Sequence, residues 1–346
     1  MKLSTLLRNP RKTELPSAAI TRVSLARLGA RTAPFALIPL LALAAAAALY
    51  AQPDPNYKPR RINKAIELLE DGQPIYYTGG HGGYEEGKKL SKTWADYINY
   101  EMEHGALDFT ALREFMRGLV DGGPTKSGHR TPAVIVTLPV LGVSEVHMQA
   151  NFWVAQQAIA CGIHGILLCH ARSPEAVRIF VESLRYPNAK PVKGLGEGML
   201  GSGSQGYSSR IWGITVPEYT KKGDPWPLNP EGEFLLGLKI EDKHALANAS
   251  KVAAVPGIAF AEWGPGDMGM SLNLPDGHTA NETLHPMMRD ARSTVLAACK
   301  ANKIAFLNTV RPNDVIEMIK EGVGIGSGGQ EAAEKGRIYT KRKMPW

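Results

Sequence analysis

Cysteine is scarce in this chain. Three residues, Cys161, Cys169 and Cys299, make an odd set with no CxxC pair. That excludes a disulfide framework and leaves buried free thiols as the expectation. Internal repeats and heptad runs are also missing, which excludes a solenoid and a coiled coil. A surplus of one charge is missing too, once the first 51 residues are set apart. Residues 1–32 hold seven basic side chains against one acid, so they carry +6 of the chain's net +7. The remainder is close to neutral and gives no reason to expect a nucleic-acid partner.

The N-terminus is a segment of its own. After the basic stretch, Ala33–Ala51 (APFALIPLLALAAAAALYA) carries no charge. A basic region, an apolar region and small residues near Ala51 describe a secretory signal. The same uncharged run is long enough to cross a bilayer as an uncleaved anchor. No adjacent arginine pair occurs in residues 1–32, so a twin-arginine route is not supported. Residues 1–51 are therefore expected to be a signal peptide or membrane anchor, making the protein periplasmic or secreted. The long basic part is also what a start codon set too early would produce, with a cytoplasmic protein as the consequence. The membrane is expected to be touched only through residues 33–51.

Residues 52–346 suffice for one large α/β domain. Short apolar runs fall at 74–80, 97–103, 133–139, 165–170, 234–241, 257–263, 304–310 and 322–326, and helical patterns lie between them. Alternation of this kind predicts a parallel sheet. Near-continuous apolar strands predict burial on both faces. Eight such units in under 300 residues fit a (β/α)8 TIM barrel better than a doubly wound sheet. One stretch breaks the pattern: residues 185–232, rich in Gly, Pro and Ser, are expected to form a lid or subunit contact beside the barrel mouth. Within it GEGMLG (196–201) matches GxGxxG, but it follows no predicted strand and is discounted as a dinucleotide site.

In a TIM barrel the C-terminal strand ends face the active site. The second predicted strand ends at Glu101, Glu103 and His104, the fourth at His170, the fifth at Lys239, Glu241 and Asp242, and the sixth runs into GPGD with Asp267. Glu241 and Asp267 thus end consecutive strands, which lie about 4.8 Å apart, and both can reach one hard divalent cation. Gly264 and Gly266 would let the backbone approach a ligand. A capped loop with a solvated Asp267 is the competing reading. His104 is a candidate general acid/base if Glu101 or Glu103 fixes its tautomer; a hydrogen-bonded core histidine is its alternative. His81 is a weaker candidate of the same kind, and His170 equally suits packing.

In order and spacing, EMEHGALDF (101–109), SPEAVRIFVESLRYP (173–187), GLGEGMLGSG (194–203), RIWGITVPEY (210–219), KIED (239–242), GPGDMGMSL (264–272) and HPMM (285–288) resemble the HpcH/HpaI aldolase, or citrate-lyase-like, family. The resemblance runs from about Pro74 to Gly329. It implies a (β/α)8 barrel of the phosphoenolpyruvate/pyruvate-binding type and a metal-dependent carbon–carbon lyase acting on pyruvate or a related 2-oxo or hydroxy acid. It implies Glu241 and Asp267 as ligands of Mg2+, Mn2+ or Co2+, and His104 as acid/base with Glu101 and Glu103 beside it. It places the GPGD turn (Gly264, Pro265, Gly266) against the substrate carboxylate. A homo-oligomer, hexamer or trimer, is implied as well. The chain departs from the family pattern at Thr137, where an Arg is typical, and at Lys239, where Gln is frequent; both would border the substrate. These departures keep two other readings open: a related lyase or decarboxylase on another acid, with Trp212, Trp226 and Trp263 near the mouth, or a non-catalytic exported acid-binding protein.

Overall fold

The structure, a computed structural model, describes residues 53–139, 141–274 and 284–346. The signal or anchor expected at 1–51 lies outside the described residues. Among those described, no helix is long and apolar enough to cross a membrane.

The described residues form nine parallel strands: β1 (Ile75–Gly80), β2 (Tyr97–Glu101), β3 (Ala133–Thr137), β4 (Gly165–Leu168), β5 (Pro225–Trp226), β6 (Phe234–Lys239), β7 (Phe260–Glu262), β8 (Ala305–Thr309) and β9 (Val323–Ser327). Eight pair in a ring. β1 joins β2 on one side and β9 on the other, and β4 pairs directly with β6, which closes the barrel. β5 is a two-residue addition on the outer edge of β6. All eight strands expected from the sequence are therefore found, and the (β/α)8 barrel stands.

Successive residues of a strand face opposite ways. One parity, with Ile75, Tyr97, Ile135, Leu167, Leu235, Phe260, Leu307 and Ile325, forms a single buried cluster drawn from all eight ring strands, the barrel interior. The other parity, with Tyr76, Ile98, Val134, Val136, Ile166, Leu236 and Phe306, packs outward with the helices. Continuing the inward parity upward brings Glu101, Thr137, Lys239 and Glu262 to the inner wall at the C-terminal rim. Gly237 fits the same layering: a Cβ there would fall 2.1 Å from the Phe260 ring, so only glycine leaves room for that side chain inside the barrel.

The opposite end is sealed by the helix Lys64–Glu70, capped by Asn63, and by the C-terminal residues. Buried Asp96 there accepts hydrogen bonds from Arg342 and ion-pairs with Arg337 and Lys64. Residues 185–232 also belong to this end. They carry two helices, Gln205–Trp212 and Val216–Lys222, the second opened by a Thr215–Glu218 capping box. Trp212 donates to the Gly162 carbonyl, stacks on His164 and meets the Phe234 ring edge-on, all residues that precede or begin strands. Trp226 donates to Glu70. The expectation of a lid or subunit contact beside the mouth, with Trp212 and Trp226 near it, is corrected as to place: the segment's anchoring contacts are at the strand starts, because the helix Pro174–Ser183 has already returned the chain there.

Candidate active site

Beyond β2 the chain turns sharply. The Glu101 carboxylate accepts the backbone N–H groups of Glu103 (2.6 Å) and His104 (3.2 Å). That turn sends the Glu103 side chain inward, where it is 3% exposed, and leaves His104 on the rim at 66%. Beyond β6, Glu241 is fully buried and Asp242 caps the helix Lys243–Ala247. Beyond β7, Gly264 has φ +51°, and a Cβ there would stand 2.3 Å from Glu241 Cβ. Glycine is required at this position on both counts. Pro265 and Gly266 follow, and Asp267 lies in the first turn of the helix Pro265–Ser271.

These local turns bring together Glu103, His170, Glu241 and Asp267, with one potential ligand atom of each within 4.8 Å of all the others. Lys239 joins them, its ammonium hydrogen-bonded to Glu103 Oε2 and 2.9 Å from Glu241 Oε2. The Thr137 hydroxyl, also inward, donates to Asn99 Oδ1 at 2.7 Å. His81 is exposed and outside the group. Trp263 is buried and donates to Asn308, so it fills space rather than facing a ligand.

Negative charge dominates. Five carboxylates (Glu101, Glu103, Glu241, Glu262, Asp267) border one ammonium. Burial pushes the Glu241 carboxyl above its ordinary value, against the pull of Lys239. Burial raises Glu262 from 4.5 to about 7, helped by repulsion from Glu241, Glu103 and Glu101 and opposed by Lys239. For Lys239 burial acts downward, yet attraction to Glu262 and Glu241 and the bond to Glu103 outweigh it and raise its pKa. Among the described residues Glu103 Oε1 is buried without a hydrogen-bond partner, and Glu241 Oε2, also buried, has only the Lys239 ammonium at 2.9 Å. A buried acceptor left without a donor is costly unless a cation satisfies it, and carboxylate oxygens joined by one imidazole are chemically suited to a divalent ion. The residues present therefore fit a metal.

Sequence reasoning foresaw Glu241, Asp267 and Lys239 at one place. It assigned Glu103 to steadying His104; the carboxylate does lie 3.4 Å from His104 Nε2, but it also belongs to the four-residue group. Glu101 holds backbone amides, not the imidazole. Glu262 was missed, although its inward parity five residues before Asp267 was a readable signal. The Asp242–His170 pairing, Oδ2 to Nδ1 at 2.8 Å, joins two strand ends and had no linear signal.

The fold is a closed parallel (β/α)8 barrel with an acidic, cation-suited group at its C-terminal rim. The chain belongs to the HpcH/HpaI aldolase/citrate lyase family, whose model matches residues 89–333. It is 23% identical over 201 residues to a hydroxypyruvate/pyruvate aldolase of Delftia acidovorans, a match covering 57% of this chain and 66%, just under two thirds, of that protein. Among solved structures it is similar to an HpcH/HpaI aldolase/citrate lyase family protein of Burkholderia cenocepacia (TM-score 0.59, 17% identity, 78% of this chain and 94% of the other). It is also similar to an HpcH/HpaI aldolase of Desulfitobacterium hafniense (TM-score 0.56, 19% identity, 81% and 97%). At these identities the structures attest the fold, and the family is one of aldolases and citrate lyases.

Proposed function

We propose that this protein is a metal-dependent lyase that reversibly cleaves a carbon–carbon bond next to a 2-oxo acid such as pyruvate, by way of the enolate. The observation that carries the reading is the convergence of Glu103, His170, Glu241 and Asp267, with one potential ligand atom of each within 4.8 Å of the others and Glu103 Oε1 buried without a donor among the described residues. Glu241, Asp267 and Glu103 are the residues that would hold Mg2+, Mn2+ or Co2+. When bound, such a cation supplies Lewis-acid stabilisation of the charge that grows on the oxo acid's oxygen.

The chain's own residues account for the remainder. His104, exposed on the rim with Glu103 at 3.4 Å, is free to take a proton from the substrate and return it. Lys239 keeps one fixed positive charge inside an otherwise anionic wall. The Thr137 hydroxyl offers a neutral dipole where the family pattern has a cation, so enolate stabilisation from β3 is weak. Gly264, Pro265 and Gly266 form the turn against which the substrate carboxylate would lie, and a Cβ at Gly266 would meet nothing within 4 Å, leaving that side open. The sealed strand-start end admits no ligand to the barrel interior, so exchange with solvent is through the rim.

The test is proton exchange at the methyl group of pyruvate in deuterium oxide, followed by NMR on the metal-stripped protein with and without Mg2+, Mn2+ or Co2+. Metal-dependent exchange is expected. A protein that binds the ion yet exchanges no faster than buffer would refute the reading.

The same proposal takes residues 1–51 as an export leader, supported by the basic and uncharged halves of that segment; the N-terminus of the protein recovered from cell fractions tests it. It also takes the protein as a homo-oligomer, trimer or hexamer. Val146 and Trp153, 74% and 50% exposed on neighbouring short helices, support a covered apolar face. Light scattering of the purified chain decides the number.

A further inference from the structure

His170 is held in an unusual way. It follows β4 with φ +50°, a left-handed conformation uncommon for a residue with a side chain. Its backbone N–H donates to Glu241 Oε1 at 3.0 Å. Its ring Nδ1 lies 2.8 Å from Asp242 Oδ2. Asp242 is itself fixed, taking Arg172 Nε at 2.8 Å on the same oxygen and the backbone N–H groups of His244 and Ala245 on the other. With N–H donors on both oxygens, Asp242 is an acceptor-only group, and the imidazole proton shared with it belongs on Nδ1.

The lone pair is then on Nε2. That atom faces Glu241 Oε1 at 3.7 Å and Glu103 Oε1 at 3.9 Å, distances too long for hydrogen bonds. Nε2 thus stands among carboxylate oxygens, and one of them, Glu103 Oε1, is without a donor among the described residues on a side chain 3% exposed. An imidazole with one nitrogen on a carboxylate and the other turned to anionic oxygens is the arrangement in which an outer carboxylate orients a histidine ligand.

Resting on the metal-site reading above, we propose that His170 Nε2 is a protein ligand of the cation, with Asp242 as its positioning residue. We further infer that the imidazole makes the site prefer a borderline first-row ion such as Co2+ or Zn2+ over Mg2+. Imidazole favours those ions, whereas Mg2+ is served best by oxygen alone.

The full chain, stripped of metal, is titrated with Co2+ and with Mg2+ by calorimetry, as wild type, His170→Gln and Asp242→Asn. The Mn2+-loaded proteins are examined by pulsed EPR for nitrogen coupling. Wild type is expected to show histidine nitrogen coupling and to bind Co2+ at least about 100-fold more tightly than Mg2+. His170→Gln is expected to abolish the coupling and weaken Co2+ by about 10–100-fold, with Mg2+ changed less than about threefold. Asp242→Asn keeps a competent helix cap but donates to Nδ1, moving the ring proton to Nε2, so the coupling is lost there too. Bound Mn2+ without nitrogen coupling in wild type, or coupling that persists in His170→Gln, overturns the assignment. If His170→Gln fails to fold, 15N-histidine labelling of wild type and of His104→Gln decides the point: the coupling must change isotope in both, and its loss in His104→Gln overturns the assignment to His170. Coupling present with no pyruvate exchange refutes the lyase reading and leaves this one standing; wild type that binds no ion refutes both.

Discussion

Glu262 allows a quantitative test of the idea that the pocket is built against its own stability. Its carboxyl stands at about 7, against 4.5 ordinarily, because it is buried and surrounded by Glu241, Glu103 and Glu101. For an acid with a raised folded pKa the sign is unfavourable: ionisation costs the folded state nothing below pH 4.5, and the cost grows until pH passes 7. The gap corresponds to at most about 3 kcal/mol. Glu262→Gln removes the ionisation and preserves the shape. In metal-free protein the variant is therefore expected to be more stable than wild type at pH 8, by up to about 3 kcal/mol, and equal to it near pH 4. Urea unfolding of both proteins across pH 4–8 measures the difference directly. A saturating divalent ion should shrink the gain at pH 8, since its charge takes over the neutralisation. A variant whose advantage over wild type is no larger at pH 8 than at pH 4, or that is less stable than wild type throughout, would refute the claim that carboxylate repulsion shapes this pocket.

Three further outcomes follow from the same geometry. Asp96→Asn leaves Arg342, Arg337 and Lys64 buried around a neutral group and should cost about 3–5 kcal/mol in urea unfolding. The Asp96 carboxyl lies below its unfolded value, held there against burial by Arg342, Arg337 and Lys64, so its stabilisation is present above that value and lost as pH falls through the folded one; a wild-type acid-unfolding curve unchanged by the substitution would contradict this. Lys239→Gln removes the ammonium that competes for Glu103 and Glu241 and should tighten divalent-ion binding about tenfold, or about 1.4 kcal/mol, by calorimetry; equal or weaker binding would exclude that competition. His104→Gln should slow pyruvate proton exchange by about 10²–10⁴-fold and leave metal affinity unchanged, because the side chain is on the rim; exchange at the wild-type rate assigns the proton to another group.

The barrel was legible because its strands are buried on both faces, and eight apolar runs alternating with helical patterns have few other solutions. Glu241 and Asp267 were legible for a related reason: a barrel turns the end of every strand toward one place, so linear position becomes spatial proximity. Two kinds of information were hidden. One was side-chain direction beyond a strand end, set by turns such as the Glu101 carboxylate on the Glu103 and His104 amides, which sent Glu103 inward and His104 outward. The other was the destination of residues 185–232. Composition marked that stretch as exceptional, but only the packing of Trp212 on His164 and Phe234 fixes the end of the barrel it occupies.

Positive charge at the rim has been redistributed relative to the family pattern. The arginine typical at the end of the third strand is Thr137, tied to Asn99 and carrying no charge. The frequent glutamine on the strand before the first metal-type carboxylate is Lys239, whose ammonium lies between Glu103 and Glu241. In the ring β3 adjoins β4 and β4 adjoins β6, so the cation has moved two strands around the wall, from the side where it would meet a developing enolate oxygen to the side where it meets the carboxylates of the ion site. An ammonium there weakens the local field acting on a bound cation, and a neutral hydroxyl on β3 leaves more of the enolate charge to that cation. Both changes demand a stronger electrophile than two carboxylates and water suit best, and an additional nitrogen donor at His170 is consistent with that demand.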